Sequence, residues 1–302
     1  MTEVNLDELT VSQRARRFAA RSTAKKIERA AARLLRIFPG SPTPFRLSFG
    51  AWMLVGQSDV DRNLLSGDFE AAEILFVKKY LQPGMTVLDI GAHHGLYTLL
   101  ASKRVGANGK VVAFEPSPRE LKQLRRNVLL NFSFNVHIEP LALGKEPSDA
   151  VLHVVQGGED GCNSLRPPVV SSPTRPVRVK VAPLDEFLHR ARIPTVDFVK
   201  LDVEGAELDV LKGAEKLLHG GARPVFLVEV YDIRTRPWGY DAREIVQFLN
   251  RAGFRWFQLT TAGFIEPISP DIGAYDTNLV AVPEEGMHLV VKCFEHAGAS
   301  GV

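Results

Sequence analysis

The chain has 302 residues, 45% of them hydrophobic, with a formal net charge of +2; this is ample for one large α/β domain with an appendage, and the balanced charge argues against a bulk polyanion binder. Cys162 and Cys293 are too far apart for a metal or redox motif, so no disulfide framework is expected and a reducing, cytoplasmic setting is. No run of about 18 apolar residues offers a membrane span, and the first residues lack the apolar core of a secretory signal.

Residues 1–80 read as an N-terminal helical extension or cap. Arg14, Arg16, Arg17, Arg21, Lys25, Lys26, Arg29, Arg33 and Arg36 alternate with Ile27, Ala31, Leu34, Leu35 and Phe38 at helical spacing. The pattern predicts a basic amphipathic helix over 14–38, ended by Pro39, Gly40 and Pro42. Such a helix either packs on its own domain with a solvated basic face, or meets an anionic membrane surface or an acidic partner. A short apolar stretch follows from Phe45 to Val55, then a helix from Asp68 to Tyr80.

Residues 81–285 alternate between strand and helix. Strands are predicted at 86–90, 110–114, 136–143, 195–203, 224–231, 254–259 and 278–282. Helices are predicted at 96–104, 119–130, 206–219 and 241–252. Alternation of this kind gives a mostly parallel sheet of seven strands with helices on both faces, an α/β Rossmann-like fold whose ligands bind at the carboxyl ends of the strands. Residues 149–181 interrupt it as a hairpin-like insertion, with Ala150–Gln156 and Pro176–Val181 flanking a Gly-, Ser- and Pro-rich loop. Residues 286–302 form a C-terminal tail.

The first strand ends in Asp89-Ile90-Gly91-Ala92-His93-His94-Gly95. Gly91 and Gly95 permit turn conformations closed to other residues, and a helix N-terminus then faces the ligand. A dinucleotide fingerprint needs Gly-x-Gly-x-x-Gly, whereas a bulky histidine pair stands between these glycines. Asp89 would also repel a pyrophosphate. It suits the cationic aminoacyl end of S-adenosylmethionine. Glu115, at the end of the second strand, can accept hydrogen bonds from ribose hydroxyls, and Pro116 and Ser117 can line the adenine edge. Tyr97 and Thr98, which open the next helix, and Ala142, on the third strand, complete the expected cofactor contacts.

Three blocks of sequence, Val87 to Thr98, Phe114 to Pro118 and Phe198 to Glu207, resemble the FkbM-type methyltransferase family. The resemblance extends over roughly residues 80–285, and Lys200-Leu-Asp-Val-Glu-Gly-Ala-Glu207 is its most specific part. It implies a class I Rossmann-like methyltransferase fold, S-adenosylmethionine as cofactor, and O-methylation of a sugar, glycan, glycolipid or natural-product acceptor. It also implies that Asp89, Gly91 and Gly95 hold the methionine part, that Glu115 holds the ribose, and that Asp202 and Glu204 lie beside the reacting centre. The family usually has Asn where this chain has His93.

Methyl transfer to a hydroxyl needs alignment and a proton acceptor. Asp202 and Glu204 share a face only if the strand continues; a turn at Gly205 is expected to make them diverge. Glu207 reads as a cap of the following helix. Glu229 lies inside an apolar run and needs a partner or a role; Lys200, also inside an apolar strand, is one candidate partner. His94 is a further candidate base. Asp202 and Glu229 offer hard oxygens, yet no dedicated ligand set is visible and no required metal is expected. Asn163 and Ser164 in the insertion, with Tyr231 and Trp238 after the fifth strand, are candidate acceptor contacts. The expected partner is a small-molecule or glycan acceptor rather than a nucleic acid, and the sequence leaves the oligomeric state open.

Overall fold

The computed structural model describes residues 42–56, 58–66, 69–269 and 274–290. The basic segment 14–38 and the end of the tail, 291–302, lie outside the described residues. The chain divides between Gln57 and Ser58 into two compact units. In the first, Thr43–Arg46 (β1) and Trp52–Val55 (β2) pair antiparallel, with Thr43 opposite Val55. The extension expected to be helical therefore contains a hairpin. Its β-branched and aromatic residues favour strands, and Gly50 supplies the positive φ of 87° that its turn requires.

The second unit is built on one large sheet. Its strands are Thr86–Ile90 (β3), Lys110–Phe114 (β4), Val136–Glu139 (β5), Phe198–Leu201 (β9), Val225–Tyr231 (β10), Phe254–Leu259 (β11), Ile265–Pro267 (β12) and Asp276–Pro283 (β13). They lie in the order β12-β11-β13-β10-β9-β3-β4-β5, giving eight described strands where seven were expected. The additional one is the three-residue β12, too short to leave a periodic signal. From β10 to β5 the strands are parallel, while β13 runs antiparallel between β10 and β11. The central parallel strands are continuous apolar runs because both faces are covered: Leu88, Ile90, Val112, Phe114, Val199, Leu201, Phe226 and Val228 all enter one core.

Two predicted elements are broken in the structure. The strand expected over 136–143 is split into β5 and Ala142–Leu143 (β6), which belong to different sheets. Pro140 lies at the break and has no N–H to continue a ladder. The helix expected over 206–219 is two helices, Glu207–Lys212 and Glu215–His219. Between them, a Cβ on Gly213 would lie 2.1 Å from the Gly144 carbonyl oxygen, so only glycine fits that crossing.

The insertion forms a small sheet of its own. Ser148–Val155 (β7) and Thr174–Ala182 (β8) pair antiparallel, and β6 joins β8 in parallel. Leu152, Val154, Val179 and Val181 pack together beneath it. The helix Asp59–Ser66 had no counterpart in the sequence reading. Among the described residues no helix is long and apolar enough to cross a membrane.

The chain leaves β3 outward to β4 and β5, then returns to place β9 on the other side of β3. That reversal is the switch point at which open α/β sheets form a ligand crevice. Asp89 on β3, Glu115 after β4, Asp202 after β9 and Glu229 on β10 come from four adjacent strands around it.

Candidate active site

The loop after β3 is shaped by backbone contacts. Gly91 and Ala92 donate to the Phe114 carbonyl at 3.1 and 2.9 Å, and Asp202 N–H donates to the Ile90 carbonyl at 3.0 Å. Gly91 has φ 87°, and a Cβ there would lie 1.7 Å from the Asp202 carbonyl oxygen. The need for glycine at 91 comes from the chain leaving β9. Gly95 has φ 93° and caps the helix Leu96–Val105, with its α-carbon pressed toward Leu124.

Asp89 is buried, and the Thr98 hydroxyl donates to its Oδ2. Burial pushes the Asp89 carboxyl up to about 6, against the Thr98 bond and the Lys200 charge. Glu115 is also buried. Its Oε2 accepts the His93 N–H and its Oε1 accepts the Ser117 N–H, both at 2.8 Å, across Pro116. Burial, together with the nearby Glu120, pushes Glu115 up to about 8. The Tyr97 hydroxyl donates to Glu70 Oε2 at 2.6 Å. Ala142 packs in the core of the small sheet, where β6 carries it once Pro140 has ended β5.

Asp202, Glu204 and Glu229 converge: each offers a carboxylate oxygen within 4.8 Å of the others. The expected divergence of Asp202 and Glu204 does not occur. Glu204 and Gly205 take φ 55° and 101°, and this left-handed pair folds the chain back. Lys200, fully buried, donates to Asp202 Oδ2 at 3.0 Å and to Asn278 Oδ1 at 3.4 Å. The sequence reading offered Lys200 to Glu229; the ion pair forms with Asp202, two residues away on the same strand face. Glu229 Oε2 is buried without a hydrogen-bond partner. Burial and the Asp202, Glu204 and Glu207 carboxylates hold Glu229 well above the usual carboxylate range. Burial pushes Glu204 up to about 8, although the Arg234 guanidinium, with Nε 2.8 Å from its Oε2, opposes this. Although burial disfavours the Lys200 charge, Asp202, Glu70 and Glu229 hold its ammonium above the ordinary range.

Glu207 accepts the Val203 and Gly205 N–H groups at 2.9 and 3.2 Å, closing this turn as a capping residue does. Ser164 and Trp238 gather on the same turn. The Ser164 hydroxyl donates to the Glu204 carbonyl at 2.7 Å, and Trp238 packs so closely on Gly205 that a Cβ there would lie 2.5 Å from its ring. Asn163 instead accepts the Val155 N–H at 2.8 Å and braces the insertion. Tyr231 ends β10 opposite Asp276.

His93 and His94 stack at 3.8 Å between ring centroids. They group with Glu120 and Asp160, and His94 Nδ1 lies 3.9 Å from Asp61. His94 therefore stands apart from the three converging carboxylates. Sequence reasoning missed Asn278 and Glu70, which complete the Lys200 network. Asn278 had left a signal, being a buried polar residue in an apolar strand.

Residues 89–256 match the family model of the methyltransferase FkbM domain. Methyltransferase 1 of Beauveria bassiana is 30% identical over 145 residues, covering 43% of this chain and 58% of that protein. AMB antimetabolite synthetase AmbE of Pseudomonas aeruginosa is 26% identical over 210 residues, 58% of this chain and 10% of that protein. Hexuronic acid methyltransferase AglP of Haloferax volcanii is 26% identical over 206 residues, covering 66% of this chain and 70% of its own length. The chain thus matches 58% and 10% of the lengths of the first two relatives. Among solved structures, the methyltransferase FkbM from Methylobacillus flagellatus is 17% identical with a TM-score of 0.42, covering 74% of this chain and 52% of that one.

Proposed function

The chain belongs to the FkbM methyltransferase family, whose cofactor is S-adenosylmethionine, and from that membership we propose that it methylates a hydroxyl oxygen on a sugar, glycan, glycolipid or natural-product acceptor. The observation that carries this reading is the convergence of Asp202, Glu204 and Glu229 at the carboxyl edge of the sheet, against the loop that contains Gly91. A hydroxyl must lose its proton as it is alkylated, and such a cluster can take it.

The donor set fits the cofactor. Asp89 is a buried acid that a ligand ammonium would satisfy, and Glu115 keeps lone pairs for ribose hydroxyls beyond its two backbone bonds. The bound cofactor supplies an electrophilic methyl group on a sulfonium. Asp202 keeps 28% of its side chain exposed against 11% for Glu204, so it is the acid that meets the acceptor. It orients the hydroxyl and takes its proton, while Lys200 holds its charge in place. Glu204 and Glu229 sit behind it as a proton-holding pair. Ser164, Trp238 and Tyr231 form the acceptor side.

The relative AglP acts, by its name, on a hexuronic acid, which favours a sugar acceptor. Calorimetry of the full chain with S-adenosylmethionine and with NAD tests the first half of the reading: micromolar binding of the former alone is expected, and binding of NAD alone would sink it. Transfer of labelled methyl to a panel of hydroxylated sugars, uronic acids included, tests the second. The basic segment 14–38 belongs to the same proposal as a contact for an anionic surface, checked by co-sedimentation with anionic vesicles.

A further inference from the structure

The histidines of the cofactor loop lie in a cluster that methyl transfer leaves without a task. His93, His94, Glu120 and Asp160 each offer a ligand atom within 4.8 Å of all the others. His93 Nε2 lies 3.8 Å from Asp160 Oδ1, and His94 Nδ1 lies 3.9 Å from Asp61 Oδ1. His94 is 8% exposed, Asp160 7% and Glu120 0%. Among the described residues, no hydrogen-bond partner reaches His93 Nε2, His94 Nδ1 or Asp160 Oδ1. Buried polar atoms without hydrogen bonds are costly unless something joins them, and two of these, His93 Nε2 and Asp160 Oδ1, face each other.

We propose that His93, His94, Asp160 and Glu120 bind a zinc-class divalent metal ion, with Asp61 as the outer carboxylate behind His94. Two imidazoles and two carboxylates are the donor set of borderline transition metals rather than of Mg²⁺ or Ca²⁺. Bonds of about 2.0–2.1 Å place tetrahedral ligands about 3.4 Å apart, so atoms within 4.8 Å of one another draw in by up to about 1.4 Å when the ion binds. Asp61 beside a ligating histidine matches the carboxylate–histidine–metal arrangement that fixes ring orientation. Glu120 already accepts the Ser117 hydroxyl and the Arg119 guanidinium, and a carboxylate retains lone pairs for a metal beyond these. The four donors and the outer carboxylate come from separate places: Asp61 from the helix Asp59–Ser66, the histidines from the loop after β3, Glu120 from the helix Pro118–Leu130, and Asp160 from the turn Asp160–Cys162 of the insertion. A bound ion would fasten the insertion to the cofactor loop. The His93 main chain remains with Glu115, so the loop serves the cofactor through its backbone and the metal through its imidazoles.

The test needs neither cofactor nor acceptor, so its outcome is separable from that of the methyltransferase reading. The purified full chain is stripped with a chelator and titrated with Co²⁺ alone, followed by visible absorption and then by displacement with Zn²⁺. One equivalent is expected to bind at micromolar concentration or tighter, with the intense bands of a low-symmetry Co²⁺ site that vanish on adding Zn²⁺. His93→Asn and Asp160→Asn should each weaken binding by about 100-fold, and Glu229→Gln should leave it unchanged. Circular dichroism establishes that each variant is folded; the two variants lie on different segments, so either suffices. Absence of stoichiometric binding in the unaltered chain overturns the proposal. So does unchanged affinity in a folded variant of His93 or Asp160, and so does loss of binding in Glu229→Gln, which would place the ion on the other cluster.

Discussion

The Lys200 ammonium stands 3.0 Å from the Asp202 carboxylate, inside the sheet and on the strand that pairs with β3. This pairing sets the buried ammonium against Asp202 rather than against Glu204 or Glu229. Three carboxylates so close in a buried site need a cation beside them, and Lys200 supplies it. Replacing it with methionine strands Asp202, Glu70 and Glu229 without their cation. Lys200→Met is expected to cost about 3 kcal/mol of stability, read from urea unfolding. Combining it with Asp202→Asn should recover part of that loss; strict additivity of the two costs would refute the coupling.

Asp202→Asn on its own separates binding from chemistry. Asp202 is proposed to face the acceptor, whereas Gly91 of the loop after β3 packs on its main-chain carbonyl. The variant should keep its affinity for S-adenosylmethionine and lose turnover by about 10²–10⁴-fold. Calorimetry and a labelled-methyl assay measure the two quantities, and full turnover would remove Asp202 from the role of base.

Asp89→Ala should have the opposite profile. Asp89 is buried behind the loop and held by Thr98. Removing a charge-assisted contact is expected to weaken cofactor binding by about 10–100-fold while the chain stays folded. Unchanged affinity would exclude Asp89 from the cofactor site.

Stability should decline with rising pH. Glu115 and Glu204 are raised from the ordinary 4.5 to about 8 in the folded chain, chiefly by burial. The folded state then binds their protons more tightly than the unfolded state does. Their stabilising contribution is complete below about pH 4.5 and is lost as pH climbs through about 8. Thermal melts from about pH 5.5 to about pH 9, each about one unit above one of these limits, should show a falling Tm, and Glu115→Gln should flatten the slope. A Tm that rises over this window would contradict the assignment.

Gly91→Ala combines two penalties. Position 91 has φ 87°, costing a side chain about 1–2 kcal/mol, and the new methyl would strike the Asp202 carbonyl. A total loss above about 3 kcal/mol is expected from strain and overpacking together, measured by denaturant unfolding, with cofactor binding lost as well.

The loop from Asp89 to Gly95 was legible in the sequence because its parts are contiguous and each glycine has a local reason. The central strands were legible because burial on both faces leaves unbroken apolar runs such as Val225 to Val228. Pro140 marked the end of β5, yet the apolar run beyond it masked the break. The convergence of Glu204 on Asp202 depends on a positive φ at a glutamate, which no side-chain pattern announces. Asp61, Glu120 and Asp160 were invisible as neighbours of His93 and His94, because their proximity exists only once the sheet has brought distant segments together. The Lys200–Asp202 pair, by contrast, follows from the two-residue period of a strand; an apolar setting drew attention to Glu229 instead.

The Ser164 hydroxyl bonded to the Glu204 carbonyl gives the insertion a hold on the turn that carries the proposed base. Recognition and reactivity are then mechanically one part. Grafting the 149–181 segment of a relative onto this chain would alter turnover along with acceptor choice, and an engineer seeking a new acceptor would do better to begin at Tyr231, on the edge that the insertion does not brace.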